Sequence, residues 1–158
     1  MFLEWLFYNG GEGDLTMKEE YKNILVAVDG SEQAKKAFEE AIEVTKRNDG
    51  ALTILSIVDY KYSVGDPAFI NDALKFHLNN AEIEIDTLIS GTEELPENYE
   101  TVILSGSPKR RIVEYAKKHE IDLIMIGATG VGAIEKAIIG STTSYVVNHA
   151  SCNVMVVK

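Results

Sequence analysis

From Tyr21 onward the chain alternates between short apolar, β-branched runs and longer stretches with helical spacing. Few architectures accept that order of elements. Ile24-Leu25-Val26-Ala27-Val28 reads as a strand buried on both faces, and it stops at Asp29-Gly30-Ser31. Apolar residues then recur at Ala34, Ala37/Phe38, Ala41/Ile42 and Thr45, a helical period. Asn48-Asp49-Gly50 closes this helix, with Gly50 suited to a left-handed cap. A second strand spans 51–58, and a second helix carries its apolar positions over 69–89. A third strand spans 99–105, followed by a helix with Ser107 as N-cap and Pro108 at its first position. A fourth strand over 121–126, a helix after Gly140-Ser141 and a last strand over 153–157 complete the series. Parallel strands need helical crossovers, and this alternation supplies them. The prediction is an α/β fold: a doubly wound, five-stranded parallel sheet of the flavodoxin-like or Rossmann-like kind, covered on both faces.

At 158 residues the chain is the size of one domain, at roughly 150 residues per domain. Its 46% hydrophobic and 25% charged residues exclude wholesale disorder. Cys152 is the single cysteine, which excludes an internal disulfide and a multi-cysteine zinc site. No uncharged apolar run reaches the roughly 18 residues of a membrane span. The opening Met1-Phe2-Leu3-Glu4-Trp5-Leu6-Phe7 lacks the basic start of a secretory signal, so the chain reads as cytoplasmic. Residues 1–20 differ from the rest, with Phe2, Trp5, Phe7 and Tyr8 ahead of a turn-like Asn9-Gly10-Gly11. They read either as a flexible N-terminal tail or as a short amphipathic segment that docks on a partner subunit or a membrane surface, with the domain proper at 21–158.

The net charge of −10 disfavours a nucleic-acid binder, which needs a basic footprint. That charge is unevenly spread. Residues 1–100 hold 8 Lys+Arg against 21 Asp+Glu, while residues 101–158 hold 7 against 4. The acidity therefore does not count against a phosphate-bearing ligand held by the second half.

In open α/β sheets, ligands bind beyond the carboxyl ends of the strands where the strand order reverses. Two loops at such positions stand out: Asp29-Gly30-Ser31, and Gly127-Ala128-Thr129-Gly130-Val131-Gly132. Glycines let backbone N–H groups approach an anion. Ten residues past Gly130, Gly140-Ser141-Thr142-Thr143 opens a helix, whose N-terminus favours phosphate and adds hydroxyl donors. Each glycine taken alone also serves a tight βα turn, and Ser141 alone also serves as an N-cap.

Other nucleotide signatures are missing: there is no G-x4-G-K-[ST], and no G-x-G-x-x-G follows the first strand. A phosphorylatable receiver needs an aspartate ending strand three, where Leu104-Ser105-Gly106-Ser107 stands instead. His77, His119 and His149 read as packing or cap residues rather than catalysts. Lys109-Arg110-Arg111 reads as a solvated helix face, or as a partner or phosphate contact on a helix that follows a strand distant from the crevice.

The spacing Gly127-x2-Gly130-x9-Gly140-Ser141 resembles the G-2x-G-9x-G-(S/T) nucleotide motif of the universal stress protein family. Asn23-Ile24-Leu25-Val26-Ala27-Val28-Asp29-Gly30-Ser31, Gly106-Ser107-Pro108 and Cys152-Asn153-Val154-Met155-Val156-Val157 resemble the family as well, over 21–158. The resemblance implies the ATP-binding branch, a sheet order of 3-2-1-4-5 and a homodimer paired through the last strands. By position, Asp29 resembles the family's acidic contact to the nucleoside, and Val58 the residue whose backbone contacts adenine. Gly127 resembles the ribose neighbour, and Gly130, Gly140, Ser141 and Thr142 the phosphate-binding positions. Asp29 serves either as a cap or, through the phosphates, as a Mg²⁺ contact. Gly132 has no settled role in the motif.

The expected function is that of an ATP-binding, nucleotide-dependent sensor or regulator of the stress response, with slow or no hydrolysis. Its alternatives are a non-nucleotide interaction module of the same fold, or a slow ATPase or autophosphorylating protein.

Overall fold

The computed structural model describes residues 20–59, 67–131 and 139–158. The aromatic N-terminal segment and Gly132 lie outside the described residues. Among the described residues nine elements alternate: β1 (Asn23–Val28), α1 (Glu32–Asn48), β2 (Ala51–Val58), α2 (Pro67–Ser90), β3 (Tyr99–Ser105), α3 (Pro108–Lys118), β4 (Leu123–Gly127), α4 (Ser141–His149) and β5 (Asn153–Val157). The strands form one parallel sheet in the order β3-β2-β1-β4-β5, as expected.

The period-2 geometry of each inner strand splits its side chains between two cores. Ile24, Val26 and Val28 of β1, Leu52 and Ile54 of β2, and Leu123 and Met125 of β4 meet Phe38, Ala41 and Ile42 of α1 and Ile85 of α2. Leu25, Leu55, Ile124 and Ile126 point the other way, to Ile112, Tyr115 and Ala116 of α3 and Val146 of α4. α1 and α2 thus cover one face, and α3 and α4 the other. Phe38 is 1% exposed, so truncating it to Ala costs about 3–5 kcal/mol.

The placement of the helices follows from crossover handedness. β1-α1-β2 and β2-α2-β3 wind toward one edge, and β3-α3-β4 and β4-α4-β5 toward the other. A right-handed crossover that reverses direction must change face. The reversal falls between β1 and β4, which pair from Ile24↔Leu123 to Ala27↔Ile126. The chain therefore leaves these two neighbouring strands on opposite faces of the sheet.

Three local expectations are corrected. The left-handed residue after α1 is Asp49 (φ 48°, ψ 51°), not Gly50. Asp49 N–H donates to Lys46 O at 3.2 Å and Gly50 N–H to Thr45 O at 3.1 Å, the paired bonds of a Schellman ending. Gly50 eases a close approach instead, because a Cβ there would stand 3.0 Å from the carbonyl oxygens of Tyr21 and Lys22. β4 begins at Leu123 rather than at 121, since the Asp122 carboxylate accepts the Lys22 and Asn23 N–H groups at 3.0 and 3.1 Å. Ser107 does hold the N-cap position with Pro108 behind it, but its hydroxyl makes no cap bond.

Candidate functional site

The reversal of winding leaves a cleft of about 600 Å³ above the carboxyl ends of β1 and β4. One side is apolar, formed by Ala27, Leu55, Ile57, Ile126, Pro108 and Ile112. The other is polar and built on backbone, from Thr129 and Gly130 through Gly140 to Ser141 and Thr142. A flat apolar ring suits the first, and an anion the second.

Asp29 leaves the end of β1 and joins the two loops that flank the cleft. Its Oδ1 accepts the Ser31 N–H at 3.1 Å and the Ser31 hydroxyl at 2.6 Å. Its Oδ2 accepts the Val131 N–H at 3.1 Å, from the loop after β4. Gly130 makes this junction feasible, because a Cβ at that position would run into Asp29 Oδ2. Gly30 turns the chain at φ +79°. Ser31, oriented by Asp29, caps α1 by accepting the Ala34 N–H at 3.1 Å.

The end of β4 is equally crowded. A Cβ on Gly127 would stand 2.8 Å from the Gln33 carbonyl carbon and 3.0 Å from Ala34 N, so the first turn of α1 sits directly on the strand end. Gln33 Oε1 accepts the Thr129 N–H at 2.6 Å. Gly140 N–H donates to Ala128 O at 2.7 Å, and the buried Thr143 hydroxyl donates to Gly127 O at 2.7 Å. Together these two bonds clip the start of α4 to the end of β4.

The start of α4 has no cap of its own. Gly140 is its N-cap residue and has no side chain to offer, and no acidic residue stands in the first turn. The leading N–H groups of a helix lack intrahelical partners, and the dipole adds partial positive charge. Ser141, read from the sequence as a possible N-cap, is the first helical residue instead. It lines the cleft together with Thr142 and Thr143.

Of the residues singled out in the sequence, Asp29, Gly127, Gly130, Gly140, Ser141 and Thr142 all line this one cleft. Val58 does not; it ends β2 between Ile57 and Asp59, which do, and its carbonyl accepts the Gly106 N–H at 2.9 Å. Thr143, named in the sequence as a hydroxyl donor, also lines the cleft, whereas Asp59, which lines it, and Gln33, which supports its loop, are marked by no motif. Pro108 and Ile112 bring α3 to the cleft, although the strand before it, β3, lies at the far edge as expected. The reason is that α3 leans inward over β2 and against α4, while still touching the outer strand through Arg111 and Tyr115.

None of the three histidines lines the cleft. His119 stacks on Tyr115 at 4.0 Å and His149 on Tyr145 at 3.9 Å, and His77 meets Phe76 edge-on at 5.7 Å. Among the described residues no group of three or more His, Cys, Asp or Glu is placed to hold a metal ion.

The family model for the universal stress protein family matches residues 20–158. A Staphylococcus haemolyticus protein named for the same family is 40% identical over 148 residues, covering 87% of this chain and 85% of its own. The universal stress protein UspA from Lactobacillus plantarum is 39% identical with a TM-score of 0.79, over 89% of this chain and all of its own (100%). At 23% identity, a family member from Arabidopsis thaliana solved with AMP bound shares the fold with a TM-score of 0.58, over 87% of this chain and 91% of its own. Two further structures of the fold, solved in complex with cAMP and with dAMP, are 20% and 22% identical with TM-scores of 0.60 and 0.57. Each of the two covers 87% of this chain, and 97% and 98% of its own length respectively. With a family model spanning the domain and relatives near 40% identity over most of both chains, this chain belongs to the universal stress protein family.

Proposed function

We propose that the cleft binds an adenine nucleotide, ATP foremost, and that the protein acts as a nucleotide-dependent regulator of the stress response in the cytoplasm. The observation that carries this reading is the pairing of an apolar slot with an uncapped helix N-terminus in one cleft. The slot formed by Leu55, Ile57, Pro108 and Ile112 takes the base. The backbone of Gly127–Gly130 and the first turn of α4 take the phosphates, with hydroxyls from Ser141 and Thr142. Distant relatives hold AMP, cAMP and dAMP, which fits a site for adenine nucleotides.

Asp29 acts mainly by shaping the loops, since both its carboxylate oxygens already accept hydrogen bonds. A Mg²⁺ ion that accompanies ATP is held chiefly by phosphate oxygens in this reading. General-base catalysis needs a proton acceptor free and within hydrogen-bond reach, and the Asp29 carboxylate in this cleft is already engaged by Ser31 and Val131. The protein is therefore proposed to hold nucleotide rather than to turn it over. Self-association through the free edge of β5, where Met155 is 39% exposed, is part of the same proposal. Light scattering that gives a monomer mass would remove that part.

The test of nucleotide binding is direct. Purified protein is heat-denatured and the released small molecules are identified by mass, alongside ATP calorimetry of wild type and Ser141→Glu. The glutamate sits favourably at the start of a helix, so the fold survives while phosphate is repelled. Wild type is expected to bind ATP and the variant is not. Absence of any adenine nucleotide affinity in wild type would return the chain to an interaction module, and steady phosphate release would make it an ATPase.

A further inference from the structure

The basic run Lys109-Arg110-Arg111 opens α3, directly after the cleft-lining Pro108. Its three cations are not equivalent. Arg111 is committed to its own turn: Nε donates to Ser105 O at 3.1 Å, and Nη1 pairs with Glu114 at 3.3 Å. Its side chain also occupies the space that Gly106 leaves by lacking a Cβ. Arg110 is exposed. Lys109 is half-buried, and its Nζ stands 5.3 Å from the centre of the Tyr145 ring on α4.

That location bears on the cleft. Tyr145 and Ser141 are four residues apart on α4, so they share one face of the helix about 6 Å apart along its axis. Ser141 lines the cleft at the start of α4. The Tyr145 ring is fixed by stacking on His149, with 9° between the planes. The Lys109 ammonium is thus held at the seam of α3 and α4, over a ring that stands one helical turn beyond the cleft-lining Ser141. Among the described residues no carboxylate forms an ion pair with it. A cation over a half-buried aromatic ring is modestly held, and the lysine stem has four rotatable carbons.

We propose that Lys109 is a phosphate-binding residue of this cleft that selects for polyphosphate length. With a nucleoside triphosphate bound, its ammonium leaves the Tyr145 ring and donates hydrogen bonds to the terminal phosphate oxygens. A monophosphate, seated on the glycine loop and the first turn of α4, ends short of it. The inference rests on the proposed adenine-nucleotide site and adds that the site grades ATP above AMP through one side chain on a third element.

The test is calorimetry of the full chain with ATP and with AMP, at low and high salt, for wild type, Lys109→Gln, Lys109→Arg and Arg110→Gln. Lys109→Gln is expected to weaken ATP by about tenfold, the scale of one lost charged hydrogen bond, and to leave AMP within about twofold. It should also flatten the salt dependence of ATP binding, because one screened charge pair is gone. Lys109→Arg should recover most of the ATP affinity, and Arg110→Gln should behave as wild type. Equal weakening of ATP and AMP by Lys109→Gln, or no weakening of either, overturns the role of Lys109 and leaves the nucleotide site standing. That role is overturned equally if Arg110→Gln reproduces the loss, since the effect is then one of general surface charge. A wild type that binds neither nucleotide overturns both readings together.

Discussion

α1 and α4 both begin beside the cleft, and their first turns are built in opposite ways. α1 is closed by its own chain: Ser31 caps Ala34 N–H, Asp29 orients Ser31, and Glu32 sets a negative charge in the first turn. α4 begins at a bare Gly140, with no cap bond and no first-turn acid. Both helices carry the same macrodipole, so the difference lies in what the sequence provides to neutralise it. α1 satisfies its own terminus and serves as scaffold. Among the described residues no side chain caps the first amides of α4, and the loops that α1 and Asp29 brace hold those amides beside the cleft.

The comparison can be broken most severely at the bracing. Gly127→Val would push a side chain into the Gln33–Ala34 backbone, at 2.8 Å from its first added atom. A loss of about 1–3 kcal/mol or more in denaturant stability is expected, as for an overpacked core, together with loss of nucleotide binding. Next in size, Ser141→Glu places a like charge where phosphate is proposed to sit. Calorimetry should show ATP affinity falling by about 100-fold, with stability unchanged or raised by about 0.5 kcal/mol from the added first-turn acid.

Thr143→Val removes the buried hydroxyl that ties α4 to Gly127 O. The carbonyl is left without that donor, so a stability loss of about 1–2 kcal/mol is expected, with a smaller loss of ATP affinity as the helix start shifts. Ser31→Ala supplies the converse: it uncaps α1 and should cost about 1 kcal/mol in thermal or urea unfolding. ATP affinity should change little. A large affinity loss on Ser31→Ala with little change in stability would erase the distinction between scaffold helix and ligand helix.

The smallest effect lies away from the cleft. Burial, and then the hydrogen bond and charge of Glu100, hold the Tyr115 hydroxyl above its ordinary value of 10.0. Its native state therefore favours the neutral phenol. That contribution to stability is fully present below pH 10.0 and is lost as pH rises through the higher native value. Unfolding curves taken above pH 10.0 should show the decline in wild type and a shallower one in Tyr115→Phe.

Much of this site is legible in the residues alone because its parts are glycines and hydroxyls at set distances along the chain. Gly127, Gly130, Gly140, Ser141 and Thr142 are separated by spacings that a motif can hold, and the structure brings them together in one cleft. Gln33 and Asp59 carry no such mark, and the sequence offers Thr143 and Lys109 only as a hydroxyl donor and a basic residue without their partners. Three of them matter through a neighbour distant in sequence: Gln33 through Thr129, Thr143 through Gly127, Lys109 through Tyr145. The αL residue after α1 shows the same limit in miniature. Glycine is the usual choice there, yet Asp49 takes the conformation and the glycine eases the tight approach of Lys22 and Tyr21 at the next position.

The sequence by itself determined which segments are strands and which are helices, that the strands run parallel, and where the glycine-rich turns fall. Hydrophobic period and turn chemistry act over a few residues and are written locally. Only the tertiary structure decided that α3 reaches the cleft, that Asp29 serves as a junction between loops 102 residues apart, and that one helix start is closed while the other is open. Those outcomes depend on which surfaces meet when crossovers of fixed hand cover two faces of one sheet. Packing of that kind is a property of pairs distant in the chain, and no local pattern encodes it.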